Sequence, residues 1–324
     1  MLDALPGEAN VYSRWQEQAD GLAGMLRSAR RVAMQYSPNC AIPYVSMVDG
    51  GTVELVRAHG IEVVSSAELV QFFEARWDKN ALESHLAAGR IIDGIRREMF
   101  DLIGERTRNG LSVQEFEVKQ LILKLFRSSG LVTDHGPIVG VNANSANPHY
   151  EPMEGRSTAI HRGDLVLLDV WGKLDRPDAT YYDITWTGFC GDSPPEDIRR
   201  VFAIVRDARN AGVKRVQNAV ANGEPLKGYQ VDDVVREHIQ AHGYGAHFSH
   251  RTGHSIGQDV HGSGANLDNF ETHDERRIIP WTCFSVEPGI YLRDFGIRSE
   301  VDIFVGEDAA RITGDCQSEL VLLS

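Results

Sequence analysis

Apolar positions recur three or four residues apart in some stretches of this chain and alternate or run together in others, and the two periods separate helices from strands. Leu82, Leu86, Ile91, Ile92, Ile95, Met99, Leu102 and Ile103 predict one amphipathic helix. It follows Asp78 and Asn80, both suitable N-caps, and ends near Asn109–Gly110. Ser112-Val-Gln-Glu115 reads as a capping box that opens a second helix, with Phe116, Leu121, Ile122, Leu125 and Phe126 on one face. LVLLDVW (165–171) and YYDITWTGF (181–189), rich in β-branched and aromatic residues, predict strands. A long helix from about Glu196 to Asn222 turns Ile198, Val201, Phe202, Val205, Ala208, Val213, Val216 and Val220 inward. A shorter one, capped around Asp232, ends at His242-Gly243. Strands resume over 282–287 and 297–305. The order helix, helix, strands is thus run through twice, an echo too weak to count as a sequence repeat.

Before this pattern lies a different one. Residues 1–76 mix the short apolar runs RRVAMQYS, GTVELV and IEVVSS with turn residues and one helical stretch, 67–75. That predicts a small α/β unit, with a domain boundary near Arg76 and a second domain over 77–324.

Composition narrows the class. The chain has 324 residues, of which 42% are hydrophobic, and its 33 basic against 46 acidic side chains give a formal charge of −13. The acidic balance argues against nucleic acid and against an anionic membrane surface. No apolar run approaches the roughly 20 residues that span a bilayer. The opening MLDALPGEANVYSR has neither a basic n-region nor an apolar h-region, and the four cysteines form no CxxC pair. These features lead us to expect a cytoplasmic protein without a thiolate zinc site.

The chemistry lies in two anomalies. Seven of the twelve histidines (His238, His242, His247, His250, His254, His261 and His273) fall in one window, around the polar stretch HFSHRTGHSIGQDVHG. One such histidine is ordinarily incidental; seven point to a metal or acid–base site. Second, carboxylates interrupt apolar strands: Asp169 in LVLLDVW, Asp183 in YYDITW, Glu287 after FSV and Glu300 in GIRSEVDIF. A buried ionised carboxylate is costly unless it is paired or holds a cation. With a period of two, Arg298, Glu300 and Asp302 share one strand face, where Arg298 can steady a ligand carboxylate. Carboxylates and imidazoles without thiolates suit Mn, Co, Fe or Zn, and bridging carboxylates suit the two-metal arrangement of hydrolases.

The segments VNANSANPHYEP, LLDVWGK with YYDITWTGF, HRTGHSIGQDVHG, VEPGIY and GIRSEVD together resemble the pita-bread metallopeptidases, in particular the Xaa-Pro peptidase branch that contains aminopeptidase P and prolidase. The likeness covers roughly residues 77–324. It implies an α+β fold: a C-terminal pita-bread catalytic domain behind a small α/β N-terminal domain. It further implies two divalent cations, manganese first among the metals above, with Asp169 on one cation, His254 and Glu287 on the other, and Asp183 and Glu300 bridging both. On the same ground Glu287 relays a proton, His149, His250 and His261 line the pocket and assist the reaction, and Arg298 supports. The implied substrate is a short, proline-containing peptide cut at or near its N-terminus, and the implied assembly is a homodimer. Neither nucleic acid nor a membrane is expected as a partner. Dipeptidase and aminopeptidase action both stay open, as does a non-peptide amide substrate.

The sequence departs from the pattern in three places. Asp169 and Asp183 stand 14 apart, so the intervening hairpin is enlarged. Trp186 occupies the position of a usual arginine, a change expected to alter the wall near the site. The N-terminal unit is shorter than a complete family N-terminal domain, which leaves open a missing first part. Two other readings compete: Gly253-His-Ser255-Ile-Gly257 matches the nucleophile elbow of serine hydrolases, with Glu271 and His273 to complete a triad, and pita-bread domains also serve as non-catalytic binding modules. Cys190 and Cys283 read as core residues, and Trp171, Trp186 and Trp281 as core or pocket wall.

Overall fold

The structure, a computed structural model, describes residues 8–324; the first part of the stretch read for a leader lies outside the described residues. The chain divides into two compact units, one reaching to Leu69 and one from Val70 to Ser324.

In the first unit, α1 (Trp15–Leu26), β1 (Arg31–Met34), α2 (Gly50–Ala58), β2 (Glu62–Ser65) and the start of α3 (Ala67–Glu74) follow in order. β1 and β2 pair in parallel with Arg31 opposite Glu62. The run GTVELV is helical: Asp49 caps α2 by accepting the Thr52 N–H at 3.0 Å, and Val53 and Val56, three apart, turn inward against Ile61 and Val63. α1 has no fully buried residue and no apolar stripe marked enough to announce it.

The second unit opens with α4 (Lys79–Arg108), capped by Asp78, whose Oδ1 accepts the Ala81 N–H at 2.8 Å. Ala88, Ile92, Ile95, Met99 and Ile103 form its buried stripe. Then come β3 (Val113–Gln114), α5 (Glu115–Ser128), β4 (Leu131–Val132), β5 (Ile138–Val141), β6 (Ala159–Ile160), β7 (Leu165–Leu174) and β8 (Tyr182–Phe189). The expected capping box is absent. Residues 113–114 pair with β6 instead of coiling, α5 starts only at Glu115, and the Glu115 carboxylate bonds elsewhere.

The second half repeats the order. α6 (Glu196–Ala221) and α7 (Gly228–Ala241) precede β9 (Ser255–Ile256), β10 (Thr282–Val286), β11 (Gly289–Tyr291), β12 (Gly296–Arg298), β13 (Val301–Val305), β14 (Ala310–Ile312) and β15 (Val321–Leu322). Asp232 is no cap; it is buried inside α7 and accepts from Thr252 and Arg236. Of the two larger sheets, one has the order β15-β8-β7-β4, with β5 also on β7, and the other runs β14-β13-β10-β9; β3–β6 and β11–β12 form separate two-stranded pairs. α4 and α5 cover the first sheet around Ile92, Ile122, Phe126 and Leu168, while α6 contributes Val213 and Val216 to a core with Phe284, Val286 and Ile303 of the second. Both sheets therefore keep one face free of these helices.

The strand expected over 297–305 is broken. Ser299 and Glu300 belong to neither ladder: β12 pairs β11, β13 pairs β10, and the Glu300 N–H donates to the Thr185 carbonyl of β8 at 3.1 Å. The interruption joins the two sheets at the point where Glu300 stands.

Candidate metal centre

Antiparallel register explains how two distant aspartates meet. Asp169 lies opposite Thr185 and Trp171 opposite Asp183, so all four point to one face of the β7–β8 ladder. Trp186, one residue out of phase, faces the other way, and the Arg96 guanidinium stacks on its ring at 3.5 Å. The expectation that Trp186 shapes the pocket wall is thus corrected: the period of two carries it to the α4 side. Trp281 packs against Phe304 and gives its indole N–H to Glu307, whereas Trp171 does line the pocket, held by Asp134 at 2.9 Å.

His254 precedes β9, whose register with β10 brings it beside Ser285. Its backbone N–H donates to Ser285 Oγ at 3.0 Å, and the same hydroxyl donates to Glu287 Oε1 at 3.0 Å. Only glycine fits before it, because a Cβ on Gly253 would lie 1.9 Å from the Ser285 carbonyl oxygen. The His254 Nδ1 faces the Ser255 carbonyl at 3.1 Å, which requires the proton there and leaves the Nε2 lone pair free. That Nε2 lies 3.3 Å from Glu287 Oε1 and 3.6 Å from Asp183 Oδ2.

Asp183, His254 and Glu300 each offer a ligand atom within 4.8 Å of the others, and all three are buried. Asp183 Oδ1 and Glu300 Oε1 have no hydrogen-bond partner. The other Glu300 oxygen and the Asp183 backbone N–H are both held. Thr185 Oγ1 donates to Glu300 Oε2 at 2.7 Å and accepts from Arg298 Nε at 3.0 Å, and the Asp183 N–H donates to Asp302 Oδ2 at 2.8 Å. Arg298 Nη2 hydrogen-bonds Asp169 Oδ2, and its Nη1 reaches the Tyr291 hydroxyl at 3.0 Å. Arg298 thus ties the Asp169 carboxylate to Thr185 and Tyr291.

The charges conflict. Burial and then the Asp169 and Glu287 charges hold the Asp183 carboxyl well above its usual range; burial and then Asp183 do the same to Glu300. Burial raises Asp169, partly offset by Arg298. Burial also works to raise Glu287, but His254, His250 and Arg298 outweigh it and hold that carboxyl below its ordinary value. Four carboxylates around one imidazole, two with unpartnered buried oxygens, make a donor set that fits divalent cations: the cations would supply the positive charge the cluster lacks and the partners its free oxygens need.

A cleft of about 680 Å³ opens onto this cluster, and His149, His250 and His261 stand in its wall. The His261 ring meets His254 edge-on, with centroids 4.3 Å apart. Both nitrogens of His250 are engaged, Nδ1 with the Arg251 carbonyl and Nε2 with the Tyr291 hydroxyl, each at 2.7 Å. Burial pushes His250 and His261 down to about 4. Asp169, Asp183, His254, Glu287, Glu300, Arg298, His149, His250 and His261 therefore border one cleft, whereas His238, His242, His247 and His273 of the histidine-rich window do not line it. Thr185, Tyr291 and the supporting use of Asp302 were not foreseen, although Thr185 stands two residues after Asp183 on the same face. The nucleophile-elbow reading fails: Ser255 is 2% exposed, sits in a two-residue strand with no helix after it, and spends its Oγ accepting the Gly264 N–H.

The family model for metallopeptidase family M24 matches residues 83–307. The chain belongs to this family. The uncharacterized peptidase YqhT of Bacillus subtilis is 30% identical over 274 residues, covering 81% of this chain and 70% of YqhT. An Xaa-Pro dipeptidase of Pyrococcus furiosus is 31% identical over 57% of this chain, and the match spans 48% of that enzyme. The crystal structure of a dipeptidase from Pyrococcus horikoshii superposes with a TM-score of 0.66 at 27% identity, covering 95% of this chain and 78% of the other. The M24 chain thus has the pita-bread fold of prolidases and aminopeptidases.

Proposed function

We propose that this chain is a dinuclear metal-dependent peptidase that cleaves Xaa-Pro bonds at or near the N-terminus of short peptides. The observation that carries the reading is the convergence of Asp169, Asp183, His254, Glu287 and Glu300 on one cleft, with unpartnered oxygens on Asp183 and Glu300. Family membership and the Xaa-Pro dipeptidase among its relatives support the choice of substrate. Those five side chains would hold the two cations, manganese being our assignment. When bound, the cations supply Lewis acidity toward the scissile carbonyl and acidify a water molecule.

The chain's own groups do the rest. Glu287 has 16% of its side chain open to the cleft, which lets its carboxylate take a proton from the attacking water and return it to the leaving nitrogen. Arg298, tied to Asp169, Thr185 and Tyr291, keeps the carboxylates from moving as charge develops. His261 and His149, in the wall, donate hydrogen bonds to the peptide.

The test uses an Xaa-Pro dipeptide and an Xaa-Pro-Xaa tripeptide with chelated protein, before and after manganese is added. Restored cleavage is the expected result, and the preferred length assigns dipeptidase or aminopeptidase action. Failure to cleave either, in protein shown to carry two metal ions, would sink the reading.

A further inference from the structure

Glu115 is the first residue of α5 and has no exposed surface. Its carboxylate gathers donors from a single distant segment. The Val141 N–H donates at 2.7 Å, the Thr158 N–H at 2.7 Å, the Asn144 amide at 3.0 and 3.1 Å to the two oxygens, and the Tyr150 hydroxyl at 2.6 Å. All of these groups are uncharged. They neutralise the cost of burying the carboxylate only while they are held together around it.

The segment so gathered, 141–158, joins β5 to β6, and its middle residues Asn147, Pro148 and His149 form part of the cleft wall. Two further ties fix its near end. The Asn142 side chain accepts the Leu165 N–H of β7 at 2.9 Å, and Ser145 Oγ exchanges hydrogen bonds with Gly296 of β12, donating to its carbonyl and accepting its N–H, each at 2.9 Å. From His149 to Thr158 the ties to α5 run through two of its residues: Tyr150 and Thr158 reach the Glu115 carboxylate, while buried Lys119 donates to Glu151 Oε1 at 2.8 Å and to the Pro152 carbonyl at 3.5 Å. The tie nearest His149 is the one on Tyr150, its neighbour, and it ends on Glu115.

We propose that Glu115 is a positioning residue for the cleft: it fixes the 141–158 segment around one carboxylate so that His149 stands in the wall beside the Asp183, His254 and Glu300 cluster. The proposal rests on the reading of His149 as a group that meets the peptide. It goes beyond that reading by assigning a residue outside the cleft to the geometry of the site. A single buried carboxyl group that four residues of the segment must reach defines one loop conformation more sharply than apolar packing would.

The experiment is a double-mutant cycle in manganese-loaded protein, with amide hydrogen exchange as a readout independent of turnover. Glu115→Gln is expected to lower kcat/KM on the Xaa-Pro tripeptide roughly 10- to 100-fold, the scale of a displaced contact group. Metal content stays unchanged, and exchange protection is lost at Val141 and Thr158 but not in β7 or β8. In a His149→Ala background the same substitution is expected to cost less than about twofold, because the group it positions is already gone. Tyr150→Phe, which removes one donor at a half-buried position, runs the same cycle with a smaller loss and serves if Glu115→Gln does not fold. Equal losses in both backgrounds, or protection lost uniformly over the unit, would reduce Glu115 to a general stabiliser and overturn the proposal. His149→Ala with undiminished activity overturns it by removing its premise. If the wild type cleaves neither peptide, the peptidase reading fails, while local loss of protection in Glu115→Gln still reports whether the carboxylate fixes the segment.

Discussion

Asp183 shows how a residue can be wrong for stability and right for chemistry. Its Oδ1 is buried without a partner, and it shares its surroundings with Asp169, Glu287 and Glu300. Asp183→Asn removes one of these charges, and its amide nitrogen finds acceptors among the remaining carboxylates. With chelator present, the variant should therefore be more stable than the wild type by about 1 kcal/mol or more. In manganese its affinity should fall by more than the roughly 10- to 100-fold typical of an outer partner. Urea denaturation with and without metal measures both, and a variant less stable than wild type in chelator would contradict the account. His85, in a different place, couples stability to pH. It is buried, with Nδ1 on the Tyr181 carbonyl at 2.5 Å and Nε2 on Thr313 Oγ1 at 2.7 Å, and burial pushes its pKa down from 6.5 to about 4. The unfolded chain binds a proton below pH 6.5 that the folded chain refuses until about pH 4. His85 thus withdraws stability as pH falls through that window, up to roughly 3 kcal/mol. His85→Gln should flatten the denaturation midpoint between pH 6.5 and pH 4. An unaltered slope would remove His85 as a cause.

At the scale of elements, what could be read from the sequence and what could not divides along a physical line. Asp169 and Asp183 were legible because each interrupts an apolar strand, and Glu287 and Glu300 because each stands against an apolar strand's end, a cost no ordinary core accepts. The helices α4 and α6 were legible because many apolar residues repeat their period. Glu115 and Asp232, in contrast, were both taken for residues that begin helices. Short-range spacing describes such a residue as a cap, yet both carboxylates serve distant loops, Glu115 the 141–158 segment and Asp232 the Thr252 hydroxyl and N–H two residues before His254. Only tertiary pairing reveals that use. The break at Ser299–Glu300 was hidden for the same reason, since a strand that changes partners keeps its alternation. Gly253 gives the element-scale prediction. Gly253→Ala places a methyl group 1.9 Å from the Ser285 carbonyl oxygen and must push β9 away from β10. Roughly 1–3 kcal/mol of stability should be lost, together with manganese binding, because His254 and Glu287 both hang on Ser285. Calorimetric titration of manganese into folded Gly253→Ala protein checks this; wild-type affinity would show that the close approach has no bearing on the site.

On the scale of the whole molecule, all five proposed ligands lie between residues 169 and 300, inside the unit that starts at Val70. They come from β7, β8, the segment before β9, the end of β10 and the β12–β13 junction, so a bound cation would cross-link both sheets of that unit at their meeting point. Without one, the same junction carries repelling charges. Cations that bind only the folded state stabilise it by mass action, about 2.7 kcal/mol when free metal is 100 times its dissociation constant. That increment has an address. Adding manganese to chelated protein should raise exchange protection in β7, β8, β10 and β13, which frame the cluster, and leave β1 and β2 of the first unit unchanged. The pattern separates a specific centre from the nonspecific counter-ion effect expected of a chain with a formal charge of −13, which would act on exposed acidic groups wherever they stand. Hydrogen exchange followed by mass spectrometry, in manganese and in an equal ionic strength of potassium, distinguishes the two. Protection that rises equally in both salts, or rises in β1 and β2 as much as in β7 and β8, would mean that the carboxylates hold no specific cation. Protection confined to the four framing strands and seen only with manganese would tie the sheet junction, the orphaned oxygens and the metal to one event.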